Sequence, residues 1–397
     1  MTERIEGRDV ASGAPIALHI ENGAIAEIVA IEEREALAWL APGLVDLQVN
    51  GYDGVDFNHF PFTTDGVRHV VQQLWLQGVT RFLPTVITAS DEEITQALGA
   101  LRSACEADAV INAAVAGIHL EGPFLSPQDG PRGAHPASHI QPPDFTTFAR
   151  WQRAAGGRIR LLTLSPEWPQ APQFIARCVA SGVTVSIGHT AATPQQIDQA
   201  VAAGASLSTH LGNGAHLQLA RHPNYIWSQL AHDGLAAGLI ADGDHLPAEV
   251  LKVFLRAKGS QAFLVSDVTC FAGMAPGTYD SPIGGRVILS ENRRLSMAQN
   301  PALLAGSARG LLDGVSHLYR HGLATISEAV AMASARPAAL MGLAPAALRV
   351  GAPADVVSLL TEDSGGLHLQ ACWKGGEKVA CAAGAQAARL VATPGNE

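Results

Sequence analysis

The sequence predicts an α/β fold: a TIM-type (β/α)8 barrel carrying a small β-sandwich domain formed from both termini. Three observations predict it. Between residues 43 and 345, eight short apolar runs alternate with stretches of helical period. Residues 1–42 and 346–397 read mostly as short strands. No GxGxxG fingerprint follows the first apolar run, where the chain reads VNGYDGVDF. That disfavours the dinucleotide-binding version of the alternative, a doubly wound open sheet.

In chain order, APIALHIENGAIAEIVAI opens the chain with short strands. The eight barrel strands follow at 43–50, 81–86, 114–122, 158–167, 183–189, 206–211, 236–242 and 262–267. The clearest helices between them lie at 65–78, 91–106, 170–181 and 194–203. The last of these starts after Thr193, a good N-cap, with Pro194 in its first turn. A 35-residue excursion follows strand eight; one helix is then expected over 303–322 and another near 326–341. GAPADVVSLL and LHLQACWKGGEKVA return the chain to the β-domain as strands.

Composition narrows the function. Of 397 residues, 47% are hydrophobic and only 16% charged, so a large core is expected and disorder is not. The net charge of −10 argues against nucleic acid as a partner. One local arginine could still hold an anionic substrate. Five cysteines without a CxxC pair suggest neither a disulfide framework nor a zinc knuckle. The charged start MTERIEGRDV and the lack of an 18-residue apolar run predict no signal peptide, no membrane span and a cytoplasmic location.

Barrel chemistry sits at the carboxyl ends of the strands. Here those ends carry Gln48 and Asn50, Glu121, Glu167, His189, His210, Asp242 with His245 just beyond, and Asp267. Any one of them could be a cap or a packing residue. Their coincidence at one end of nearly every strand points to a shared mouth. Glu121, His189 and His210 are a carboxylate and two imidazoles, a set suited to one divalent transition metal. Zn2+ fits best, with Fe2+, Co2+ or Mn2+ as the other candidates. Asp267 could take a proton from water and return it to a leaving amine. Gln48 and Asn50 share a strand face and are poor ligands, so they are expected to fix geometry or to fill a second metal's place.

The segments APGLVDLQVNGYDGVDFN, GIHLEGPFLSP, GAHP, VSIGHTAAT, STHLGNGA, LIADGDHLP, LVSDVTCFAG and LAGSARGLLDGV are similar, in order, to those of the N-acetylglucosamine-6-phosphate deacetylases of the amidohydrolase superfamily. The resemblance implies removal of acetate from an aminosugar 6-phosphate. It implies metal ligation by Glu121, His189 and His210, with Asp267 as the catalytic acid–base. Gln48 and Asn50 match the variant that keeps one metal. His135 matches a histidine that reaches the substrate carbonyl, and His245 a sugar contact. Asn213 with the backbone at Gly214 and Ala215 matches a phosphate cradle. Arg221 aligns with an arginine that serves a neighbouring subunit's phosphate, which implies a homodimer. The chain departs from the family where it reads HLGNGAH instead of HLYNAM or HLFNAM: Gly212 replaces an aromatic and His216 is added. The chemistry is thus more firmly marked than the sugar. A related amidohydrolase acting on another N-acetylhexosamine or a non-sugar amide is the alternative. A scaffold without catalysis is a third reading, disfavoured because all four polar residues of the reaction are present.

Overall fold

A computed structural model describes residues 3–35, 37–281 and 285–381. Eight parallel strands form one nearly closed barrel. They are β1 (Leu44–Val49), β2 (Val79–Ile87), β3 (Ile118–Glu121), β4 (Ile159–Leu164), β5 (Thr184–Ile187), β6 (Leu207–Ser208), β7 (Ala236–Leu239) and β8 (Ala262–Leu264), each paired with its sequence neighbour. A bridge between Val49 and Val268, with the Asn50 N–H on the Val268 carbonyl at 2.8 Å, joins the end of the first strand to the chain just past the last. All nine residues of β2 are buried, as expected for a strand covered on both faces. Val45, Leu47, Leu83, Leu161, Leu207, Phe263 and Val265 fill the interior. Burying each such side chain contributes ~1.5–3 kcal/mol.

The helices outside are cut by local chemistry. Thr64–Trp75 starts at Thr63, whose hydroxyl accepts from Gly66 N, and buries Val67, Val70, Val71 and Leu74 along one stripe. Asp91–Ala107 and Pro194–Ala202 both start with capping boxes, Ser90 with Glu93 and Thr193 with Gln196.

Two helices differ from expectation. The one expected over 303–322 begins only at Leu311, because the chain up to Leu304 is in a sheet. Gly306, at φ +93°, then turns beneath Thr269. The excursion after β8 is a four-stranded antiparallel meander: Gly277–Ser281, Gly285–Leu289, Leu295–Met297 and Asn300–Leu304. The helix expected near 326–341 is two, Ile326–Met332 and Ala335–Leu340. Pro337 has no N–H to give the Ala333 carbonyl, which accepts from Val45 of β1 instead.

The terminal strands form one seven-stranded sheet. Its order is Glu377–Cys381, Leu367–Lys374, Val356–Thr361, Trp39–Pro42, Glu3–Asp9, Pro15–Glu21, Ala24–Ala30. LHLQACWKGGEKVA is therefore a hairpin, turning at Gly375 and Gly376. The sandwich is made by the two arms of this sheet, which share an apolar core of Ile5, Leu18, Ile20, Ile25, Val356 and Trp373. Trp373 Nε1 on one arm donates to Glu3 on the other at 2.7 Å. Residues 382–397 of the expected β-domain lie outside the described residues. Among the described residues, no helix is long and apolar enough to cross a membrane.

Candidate metal centre

Strand ends deliver the donors. Glu121 is the last residue of β3, while His189 and His210 lie two residues beyond β5 and β6. His189, His210 and Asp267 hold positive φ angles of 49°, 27° and 50°. Such backbone costs about 1–3 kcal/mol per residue and gathers where function demands it. The three side chains converge: Glu121 Oε1 lies 3.1 Å from His210 Nε2 and 3.3 Å from His189 Nε2. The two Nε2 atoms are 3.1 Å apart, and all three residues are buried. His189 Nδ1 lies 2.8 Å from the Pro131 carbonyl, which can only accept. Nδ1 therefore carries the proton in the neutral ring, and the Nε2 lone pair faces the cluster. Lone pairs of nitrogen and carboxylate oxygen pointed at one another repel unless a cation lies among them. The donor set thus fits a divalent ion, with ligand atoms all within 4.8 Å of one another.

Four expected residues surround this cluster. Gln48 Nε2 donates to Glu121 Oε1 at 3.0 Å, and Asn50 Nδ2 donates to Asp267 Oδ1 at 2.8 Å. Burial pushes the Asp267 carboxyl above the usual range; His210 lies close enough to oppose this and Glu121 to add to it. His135 packs its ring on that of His189, centroids 4.4 Å apart. Burial holds His135 down to about 3, with His189 adding to the effect, so its ring is neutral. Its Nδ1 is 2.9 Å from the Thr88 hydroxyl. With that hydroxyl donating, Nε2–H is free to donate to an oxygen.

Other expected residues fall at different distances from the chemistry. Asn213 folds back, its N–H and Nδ2 both donating to the His210 carbonyl. Gly214 stands beneath His189, where a Cβ would meet Nδ1 at 2.6 Å. Ala215 is half-buried beside them. His245 is held by Asp242 at 2.7 Å. Arg221 is exposed and makes no ion pair among the described residues, so it is not brought to the cluster within one chain. Glu167 clamps loops, accepting from Ser126, Ser165 and the Ala191 N–H. His119 lies inside the barrel at 2.7 Å from the Thr163 hydroxyl, and burial lowers it to about 4. Thr88 and the Pro131 carbonyl were not anticipated from sequence. A cavity of about 430 Å3 opens between the loops after β1 and β8, lined by Val55, Asp56, Phe62, Phe271 and Met274 among others, but not by the cluster.

Fold and donor set together define a class, the metal-dependent barrel hydrolases. Residues 39–379 match the amidohydrolase family, and the chain belongs to it. It is 34% identical over 323 residues to the N-acetylglucosamine-6-phosphate deacetylase of Bacillus subtilis (strain 168), covering 80% of each chain. It is also 34% identical over 303 residues to the N-acetylgalactosamine-6-phosphate deacetylase of Shewanella sp. (strain ANA-3), covering 75% of this chain and 73% of that one. The structure of a variant of N-acetyl-D-glucosamine-6-phosphate deacetylase from Mycobacterium smegmatis, in complex with N-acetyl-D-glucosamine 6-phosphate, is similar with a TM-score of 0.84. It is 26% identical, and the match covers 95% of this chain and 99% of that one.

Proposed function

We propose that this chain hydrolyses the acetamide of N-acetylglucosamine 6-phosphate, releasing acetate and the aminosugar phosphate. The observation that carries the reading is the convergence of Glu121, His189 and His210, with Asp267 beside them. These three would hold one divalent ion, zinc being the one the donor set suits best. When bound, such an ion acidifies water and polarises an acyl oxygen. Asp267, oriented by Asn50, takes the proton of the attacking water and passes it to the leaving amine. His135 donates from Nε2 to the acyl oxygen as negative charge builds there. His245 contacts the sugar. Asn213 and the N–H groups of Gly214 and Ala215 receive the phosphate.

The reading extends to a cytoplasmic homodimer in which Arg221 serves the partner's substrate phosphate. The exposed Arg221, with Leu217 84% and Trp227 50% exposed nearby in sequence, supports an interface there. It also treats 43–345 as the catalytic domain and the two terminal segments, 1–42 and 346–397, as one β-domain.

Acetate release from N-acetylglucosamine 6-phosphate is the test. Chelation should abolish it and zinc restore it. Asp267→Asn should keep its metal while turnover drops about 10²–10⁴-fold; near-native turnover would remove Asp267 from the mechanism. The Shewanella relative favours a second reading, N-acetylgalactosamine 6-phosphate, which the same assay ranks against the first.

A further inference from the structure

Asp242 has no part in the chemistry above, yet its acceptor positions are filled. Oδ1 accepts from the backbone N–H groups of Asp244 and His245, both at 2.9 Å. Oδ2 accepts from His245 Nδ1 at 2.7 Å and from the Ser307 hydroxyl at 3.2 Å. Burial alone would raise this carboxyl. The bonds from His245 and the two backbone N–H groups outweigh burial and hold it well below the ordinary range, so it is charged. A carboxylate can only accept, so His245 must donate from Nδ1. A neutral imidazole with its proton on Nδ1 keeps a lone pair on Nε2. That Nε2 makes no hydrogen bond among the described residues.

We propose that Asp242 is a positioning residue that fixes His245 as a hydrogen-bond acceptor, so that the site selects a sugar hydroxyl able to donate. This rests on the reading of His245 as a sugar contact. Geometry makes the proposal sharp. In Asp242→Asn, the amide oxygen must stay where two backbone N–H groups converge. The amide NH2 then replaces Oδ2 and donates to His245 Nδ1. The proton moves to Nε2, and the acceptor facing the sugar becomes a donor.

The experiment compares the native enzyme, Asp242→Asn and His245→Ala on N-acetylglucosamine 6-phosphate and on its 3-fluoro and 4-fluoro analogues. Fluorine resembles hydroxyl in size but cannot donate. The native enzyme should lose about tenfold in kcat/KM on the analogue that lacks the contacted hydroxyl. Asp242→Asn should raise KM about tenfold on the parent sugar with a smaller effect on kcat, as expected for a contact remote from the amide. It should also reduce the fluorine penalty to about threefold or less. A penalty that stays at its native size in Asp242→Asn overturns the proposal. If His245→Ala changes neither KM nor the penalty, the sugar-contact reading fails and takes this proposal with it. If His245→Ala is impaired and Asp242→Asn is not, only the role of Asp242 fails. Should Asp242→Asn not fold, ¹⁵N spectra of histidine-labelled native protein give the answer directly. In alkaline buffer, the signals missing in His245→Ala should report a proton on Nδ1 and none on Nε2. A proton on Nε2 overturns the proposal.

Discussion

Asp46 sits in β1 with no exposure, two residues before Gln48. Oδ1 accepts from the N–H groups of Gln48 and Ser266, and Oδ2 has no partner among the described residues. Burial pushes its carboxyl up to about 7, well above the ordinary 3.8. Between those values the folded chain keeps a proton that the unfolded chain has released. Stability attributable to Asp46 is therefore full in acid and is lost as pH rises from about 4 to about 7, by a few kcal/mol in order of magnitude. Asp46→Asn removes this dependence. Its melting temperature relative to native should rise between about pH 5 and pH 8; a constant difference would show that Asp46 does not titrate there. At this scale the sequence was informative about donors, because an ionisable residue ending an apolar strand is anomalous. It said nothing of Thr88 or the Pro131 carbonyl. A threonine and a main-chain oxygen are common in any loop, and only folding brings them onto His135 and His189.

The eight barrel strands and four of the helices could be read in advance from period and caps. The region after β8 could not. Its meander strands are three to five residues long, too short for a clear alternation, and LLAGSARGLL has helix-like apolar spacing despite its two glycines. How closely these elements pack can be probed at Gly188, which passes between β4 and β6 just before His189. A Cβ there would lie 2.7 Å from Thr163 Cγ2 and 2.8 Å from Thr209 Cβ, both on stiff branched side chains. Gly188→Ala should cost about 1–3 kcal/mol in overpacking. It should also displace His189 and weaken metal retention about tenfold, measured as metal content after dialysis. Full retention would mean the strand can shift without moving its ligand.

Across the whole molecule, barrel and terminal sheet are tied at Asp355, 7% exposed, just before Val356–Thr361. Its Oδ2 is 2.8 Å from Lys374 Nζ and 3.7 Å from Arg81 Nε, Arg81 lying on β2. Asp355→Ala would leave two largely buried cations unpaired. A loss of about 3 kcal/mol is expected, read as a fall of several degrees in Tm, with kcat/KM unchanged because the tie is remote from the mouth. A Tm within a degree of native would show that water replaces the carboxylate. The tie belongs to a larger arrangement in which Trp39–Pro42 pairs with both Glu3–Asp9 and Val356–Thr361. During translation, at ~5–20 residues per second, Trp39–Pro42 emerges long before Val356–Thr361, the strand that closes its edge. Roughly 300 residues separate them, so for about 15–60 s an unprotected strand edge is presented to the cell. A ribosome stalled late in the message would hold Trp39–Pro42 without its Val356–Thr361 partner for as long as the stall lasts.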